Sequence, residues 1–534
     1  MARIQKVLVA NRGEIALRVF RAARELGLGA AAVVAPDDAG SLHARSADET
    51  VQIRSYLDPD EHIRAATESG ADAIHPGYGF LAENAAFAEA VQVAGLTWIG
   101  PPPSALRKGG DKLAAKQVAE DAGVPTIPEA REPPLIVKAA AGGGGRGMRV
   151  VRAAGHLHEA VEAARREARS AFGDDTVYLE RYLERPRHVE IQLLADGHGR
   201  VLSLGERDCS VQRRHQKVLE ESPSPAVDAD LRGRMSAAAV RFATAIGYVG
   251  AGTAEFVLDG RDFYFLELNG RIQVEHPVTE AVTGLDLVQW QLRIASGERL
   301  DVEPTQRGHA VEVRLYAEDA RTFLPQAGRI ERLRLPASVR VDAGVAAGDE
   351  IGTSYDPMIA KLIASGSTRD EALDRLAGAL ADTEVAGVTT NLPFLRWLVA
   401  HPALRAGAAT TAFLDEYPPL SAPPPALPDA LWRGGFRLNL PPAPLRPAPD
   451  VDASAHAHGA SEVSRAITAP MPGTVIKVNV HAGATVKARE PLVVLEAMKM
   501  ETPLLAPFDA TVSEVHVQEG DRVAAGAALV DLDD

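Results

Sequence analysis

The first hundred residues alternate short apolar runs with stretches whose apolar positions recur at helical spacing. KVLVA (Lys6 to Ala10) and AAAVVA (Ala30 to Ala35) read as buried strands. Between them, EIALRVFRAAREL sets Ile15, Leu17, Val19, Phe20 and Leu26 at helical intervals. The alternation continues with a helix near 60–69, a strand at ADAIHP, a helix at 84–94 and a strand at LTWIG. This order predicts a parallel sheet with covering helices. Its first turn, Asn11-Arg12-Gly13-Glu14, has no G-x-G-x-x-G pattern, so a nicotinamide dinucleotide is not expected.

Further along, strands are predicted near 135–138, 177–180 and 189–194, with a glycine run at 142–145. Another α/β stretch runs from about His309 to Tyr417, with helices near 369–381 and 392–398. Prolines then crowd positions 418–449, and 450–462 is rich in Ala, Ser and His, which reads as a linker. Its interruption, LWRGGFRLNL (Leu431 to Leu440), is read as a docking patch for this chain or for a partner subunit. The last seventy residues hold a gapless repeat at an offset of 37. Val475 matches Val512, Val478 matches Val515, Gly483 matches Gly520, Val486 matches Val523 and Leu495 matches Leu532. Each half is too short to bury a core alone, but two halves can close a flattened β-sandwich. AMKMETPLL joins them, which predicts a tight exposed turn at Lys499.

Composition narrows the picture. At 534 residues, about three or four domains are expected. The net charge of −15 argues against a nucleic-acid-binding surface. Cys209 is the only cysteine, which excludes an internal disulfide and a multi-thiolate zinc site and fits a cytoplasmic setting. No apolar run reaches the roughly 18 residues a membrane helix needs, and no leader pattern is expected at the N-terminus.

The densest chemistry lies in LELNGRIQVEH (Leu266 to His276). If it is extended, Glu267, Asn269, Arg271, Gln273 and Glu275 share one face. Upstream, Asp259-Gly260 signals a hairpin, and a turn centred on Arg261 sets Glu255 opposite Glu267. Opposed carboxylates need a cation between them, and with Asn269 they supply oxygen ligands suited to Mg²⁺ held with nucleotide phosphates. Lys138 ends a strand just before the glycines, an arrangement suited to phosphate oxygens and outside the Walker pattern. The run Glu206 to Glu221 mixes Arg213, Arg214, His215 and Lys217 with acids; a solvated face is expected, with an anion pocket as the alternative. Cys209 within it reads as a small buried residue, not a nucleophile.

Taken together, ANRGEIALRV, HPGYGFLAEN, GDK, GGGGRGM, PRHVEIQ, ERDCSVQRRHQK, GAGTAEF and LNGRIQVEHPVTE resemble the biotin carboxylase family of ATP-grasp enzymes over about residues 4–415. EAMKM (Glu496 to Met500) resembles the biotin carboxyl carrier signature, and the joined layout resembles the α subunit of acyl-CoA carboxylases. The resemblance implies a parallel α/β domain (1–110), an ATP-grasp domain (111–308, lid about 135–185), a C-terminal α/β domain (309–417), a linker (418–465) and an all-β biotinyl domain (466–534). It implies that Lys112, Lys138, Glu180, His188 and His215 contact ATP under a lid containing Gly143, Gly144 and Gly145. It further implies that Glu255, Glu267 and Asn269 hold Mg²⁺ or Mn²⁺, and that Lys217, Arg271, Gln273 and the backbone of Val274 bind bicarbonate. Glu275 would be the base, Arg314 would stabilise the biotin enolate, and Lys499 would carry the biotin. A separate carboxyltransferase (β) subunit and a biotin protein ligase are the implied partners, and Arg18, Arg21 and Glu25 match a homodimer contact. A carrier and scaffold with an inactive ATP site is the alternative. The segment between Lys112 and Lys138 is shorter than the family usually has.

Overall fold

The computed structural model describes residues 4–140, 148–213, 216–421, 466–470, 473–497, 500–524 and 526–533. The predicted opening alternation forms a parallel sheet, joined by a strand the sequence reading did not name, Glu49–Gln52, to make five. Its spatial order is Glu49–Gln52, Gly29–Val34, Lys6–Val9, Ala73–His75, Thr97–Trp98. The order reverses at Lys6–Val9, and the turn at Asn11–Glu14 leaves its carboxyl end, where open α/β sheets present functional groups. The helix Gly13–Glu25 follows, burying Ile15, Val19 and Phe20 against the sheet.

A three-stranded antiparallel sheet (Arg149–Val151, Leu135–Ala139, Val177–Arg181) carries the helix Leu157–Phe172 over the core residues Leu135, Val137, Val151 and Ala164. The central element is one eight-stranded antiparallel sheet. In spatial order its strands are Asp262–Asn269, Gly250–Asp259, Arg187–Ala195, Val201–Arg213, Gln216–Ser222, His309–Tyr316, Met358–Gly366 and Arg340–Ala343. It crosses position 308 without interruption, because Gln216–Ser222 pairs directly with His309–Tyr316.

The C-terminal repeat forms two four-stranded sheets around Val475, Leu495, Val512 and Leu532, all buried. The halves exchange equivalent backbone hydrogen bonds. Gly483 N donates to Val512 O and Gly520 N donates to Val475 O, both at 2.7 Å. The offset of 37 read from the sequence is therefore a pseudo-two-fold relation between the halves.

Candidate active site

Glu255 and Glu267 do pair across the hairpin, by a different route from a turn centred on Arg261. Asp259 pairs with Asp262 around the two-residue turn Gly260-Arg261, where Gly260 takes φ +62°. The register then shifts between Phe256 and Glu255, leaving Leu266 as an extra residue. This bulge brings the carboxylates level.

LELNGRIQVEH is not extended throughout. The strand ends at Asn269, residues 270–275 turn, and a helix begins at His276 with Pro277 in its first turn. Gly270 N leaves the sheet to donate to Glu83 Oε1 at 2.9 Å. The polar residues therefore converge through a turn instead of along one strand face.

They converge on Lys217. Its Nζ donates to Glu190 Oε2 at 2.5 Å, Glu275 Oε1 at 2.6 Å and Glu255 Oε1 at 2.8 Å. Glu255 Oε1 also accepts from Gln273 Nε2 at 2.8 Å and Asn269 Nδ2 at 2.9 Å. Burial opposes ionisation of Glu275, but the Lys217 ammonium holds its carboxyl below the ordinary range and so keeps it as the carboxylate. Arg314 grips the other oxygen, Nη2 to Glu275 Oε2 at 3.1 Å, while its Nε donates to Glu220 Oε1 at 2.7 Å. Burial also opposes charge on His188, yet Glu255, 3.0 Å away, raises the imidazole to about 9. Arg271 donates from Nη2 to Asn269 Oδ1 at 2.6 Å and from Nε to Glu83 Oε2 at 2.9 Å.

A cavity of about 390 Å³ is lined by Lys112, Lys138, His188, Lys217, Glu255, Glu267, Asn269, Arg271, Gln273, Val274, Glu275 and Arg314, among others. The twelve are expected site residues. Glu180 joins them through Lys138, whose Nζ donates to Glu180 Oε2 at 2.7 Å; Lys116 takes Oε1 at 2.8 Å. Gly143, Gly144, Gly145, His215 and Lys499 lie outside the described residues, as do Arg214 and LWRGGFRLNL. The strands around Lys499 are described and pair up to Ala497 opposite Met500.

The residues present fit a divalent cation. Burial, and then the charge of Glu255, pushes the Glu267 carboxyl up, a strain that a cation shared by the two would reverse.

The solvated face expected for Glu206–Glu221 is not found. The strand Val201–Arg213 is central in the sheet, and Arg207 is completely buried. Arg207 donates to Glu190 Oε1 at 2.5 Å and to Gln273 Oε1 at 2.8 Å, so it braces two members of the cluster. Arg207, Glu190, Lys116 and Glu83 escaped the sequence reading. For Glu190 the available signal was the alternation of His188, Glu190 and Gln192 with Val189, Ile191 and Leu193; Arg207 shares the register of Cys209 and Val211 and breaks the alternation of its own strand, and Lys116 and Glu83 lie outside both strands. Cys209 is buried as expected, and burial followed by the charge of Glu190 pushes its thiol well up. Arg18 is engaged within this chain, with Nη2 2.8 Å from Glu280 Oε1 and 2.7 Å from Asp286 Oδ1. Arg21 reaches Asp342 at 3.3 Å, and Glu25 accepts from Gln289 Nε2 at 2.6 Å.

Facing carboxylates, a cavity lined by Lys112 and Lys138 and a carboxylate held between two cations are the arrangement of an ATP-grasp site, here joined to a duplicated β-sandwich. Family models match in the same order. They are the biotin carboxylase N-terminal domain (3–106), the carbamoyl-phosphate synthase L chain ATP-binding domain (109–303), the biotin carboxylase C-terminal domain (312–416) and the biotin-requiring enzyme domain (465–532). The biotin-dependent acyl-coenzyme A carboxylase alpha3 subunit of Mycobacterium leprae is 42% identical, with 99% of each chain covered. The methylcrotonoyl-CoA carboxylase alpha subunit of rice is 47% identical over 78% of this chain, which spans 60% of that relative's length. Among solved structures, biotin carboxylase of Campylobacter jejuni matches with a TM-score of 0.76 at 40% identity, covering 78% of this chain and 99% of that one. The biotin carboxylase domain of Hydrogenobacter thermophilus 2-oxoglutarate carboxylase, solved with MgADP and bicarbonate, matches with a TM-score of 0.76 at 42% identity, covering 78% and 98%. The chain belongs to the biotin carboxylase family and carries a biotinyl domain of its own. Among the described residues, no helix is long and apolar enough to cross a membrane.

Proposed function

We propose that this chain carboxylates the biotin on its own C-terminal domain, using ATP and bicarbonate, as the carboxylase and carrier subunit of an acyl-CoA carboxylase. The observation that carries this reading is the Glu275 carboxylate, held between Lys217 and Arg314 in the cavity that Lys112 and Lys138 line. Lys112, Lys138, Glu180, His188, His215 and the glycines Gly143, Gly144 and Gly145 bind ATP. Glu255, Glu267 and Asn269 hold Mg²⁺ or Mn²⁺, which neutralises phosphate charge when bound. Lys217, Arg271, Gln273 and the Val274 amide orient bicarbonate.

Glu275 removes the bicarbonate proton, and the freed oxygen attacks the γ-phosphorus as ADP leaves. The resulting carboxyphosphate breaks into CO₂ and phosphate. The phosphate takes the ureido proton of biotin, and CO₂ adds at that nitrogen. Arg314 stabilises the negative charge that develops there. A separate carboxyltransferase then accepts the carboxyl group and selects the acyl-CoA, and a biotin protein ligase loads Lys499. Homo-oligomerisation within that complex and a cytoplasmic location complete the reading.

The test is transfer of label from radioactive bicarbonate to the biotinylated chain, with ATP and Mg²⁺, beside Lys499→Arg. Label on the parent alone supports the proposal. A biotinylated parent without label supports the carrier and scaffold reading instead.

A further inference from the structure

Lys361, on the strand Met358–Gly366, is completely buried. A buried ammonium costs several kcal/mol unless it is closely paired, so its partners matter. Its Nζ donates to the backbone carbonyl of Val274 at 2.8 Å and lies 3.2 Å from Glu14 Oε1. Glu14 Oε1 also accepts from Tyr78 Oη at 2.6 Å. Asp342, at 4.0 Å from Lys361, is already engaged by Arg340 Nη2 at 2.7 Å. Burial lifts the neighbouring Glu312 carboxyl well above its ordinary range, which leaves Glu14 as the near countercharge.

Lys361 stands directly opposite Arg314 across the sheet. The two cations hold the same turn in different ways: Arg314 grips the Glu275 side chain, and Lys361 grips the peptide that precedes it. That peptide carries the Val274 carbonyl on one side and the Glu275 N–H on the other, so fixing one fixes the direction in which Glu275 leaves the backbone.

Resting on the bicarbonate role proposed for Val274 and Glu275, we infer that Lys361 is a positioning residue of the bicarbonate pocket, tied through Glu14 to the first helix and through Tyr78 to the loop after Ala73–His75. It touches no reacting atom. Its loss raises the KM for bicarbonate and lowers turnover, while the KM for ATP is unchanged.

The test is bicarbonate-dependent ATP hydrolysis by the full-length biotinylated chain. Lys361→Met with Glu14→Gln removes both buried charges together, which avoids stranding one of them. Losing a hydrogen bond from a charged donor predicts about a tenfold rise in the bicarbonate KM with the ATP KM within about twofold. Lys361→Arg keeps the charge but cannot place a nitrogen at the same point, and it predicts the same split; it stands in if the double variant does not fold. A folded variant with the parent's bicarbonate KM and turnover overturns the inference, as does an equal rise in both KM values. Glu275→Gln is the control for the underlying reading. If it leaves bicarbonate-dependent hydrolysis intact, the pocket itself is misassigned, a failure distinct from that of Lys361.

Discussion

His43 and His75 are completely buried, and burial pulls both imidazoles down to about 4. Their contacts suit neutral rings. His43 Nδ1 lies 2.7 Å from Ser41 Oγ, and its Nε2 lies 3.2 Å from Val33 O. His75 Nδ1 accepts from Gly77 N at 3.0 Å, which assigns the proton to the other nitrogen, facing Gln291 Oε1 at 3.2 Å. Unfolded, both protonate near pH 6.5. As pH falls from about 6.5 toward 4, the unfolded chain binds protons that the folded chain refuses, so stability is lost on acidification. Glu318, lifted by burial to about 7, acts with the opposite sign over this range, so a difference measurement is needed. The stability advantage of the parent over His43→Gln should shrink by up to about 3 kcal/mol as pH falls through that window. Urea unfolding of both chains across the range measures it, and a constant gap would contradict the neutral assignment.

At the scale of elements, the two halves of the biotinyl domain place different residues at one equivalent left-handed position. Arg489 and Gly526 are 37 residues apart, and both lie in the left-handed region, at φ +70° and +81°. They play the same part: Arg489 N donates to Ala506 O and Gly526 N donates to Ala469 O, each at 2.7 Å. Only the arginine carries a Cβ there, so Arg489→Gly should stabilise the domain by about 1 kcal/mol, the strain relieved less the entropy glycine adds to the unfolded chain. A lower melting temperature would show that the arginine side chain contributes more than its strain costs. The repeat was legible because matched apolar and glycine positions survive in both halves. The parallel sheet was legible because both its faces are covered and its strands read as apolar runs. The active-site turn was less so. Period two in LELNGRIQVEH looks the same whether the chain stays extended or turns after Asn269, and what turns it is Glu83, nearly two hundred residues away. Leu266 likewise gives no local sign of being a bulge. Arg207 and Lys361 were hidden for a related reason: a buried cation looks like a surface one until its partners are brought in from other strands.

For the molecule as a whole, the interactions inside residues 4–421 ignore the borders drawn from sequence. One sheet runs through position 308. One hydrophobic cluster joins Val7 and Phe20 to Leu194, Ile272 and Leu292, and another joins Val218 to Leu362 and Phe394. Buried ion pairs cross the same borders, Arg18 to Glu280 and Lys361 to Glu14. The biotinyl core, in contrast, is drawn among the described residues from those between Ile467 and Leu532. Regions that share a core unfold together, and regions with separate cores need not. Calorimetry of the full-length chain should therefore show a large transition for the carboxylase region and a smaller one for the biotinyl domain. The two should respond to different levers: Arg489→Gly should raise only the smaller transition, and Mg²⁺ with ADP should raise only the larger, since a ligand stabilises the unit that binds it. If the carboxylase region melts in separate steps on either side of position 308, the continuous sheet is not the cooperative unit inferred here. If Arg489→Gly moves both transitions, the biotinyl domain is energetically coupled to the carboxylase, and its approach to the active site would be governed by a stable contact as well as by the linker.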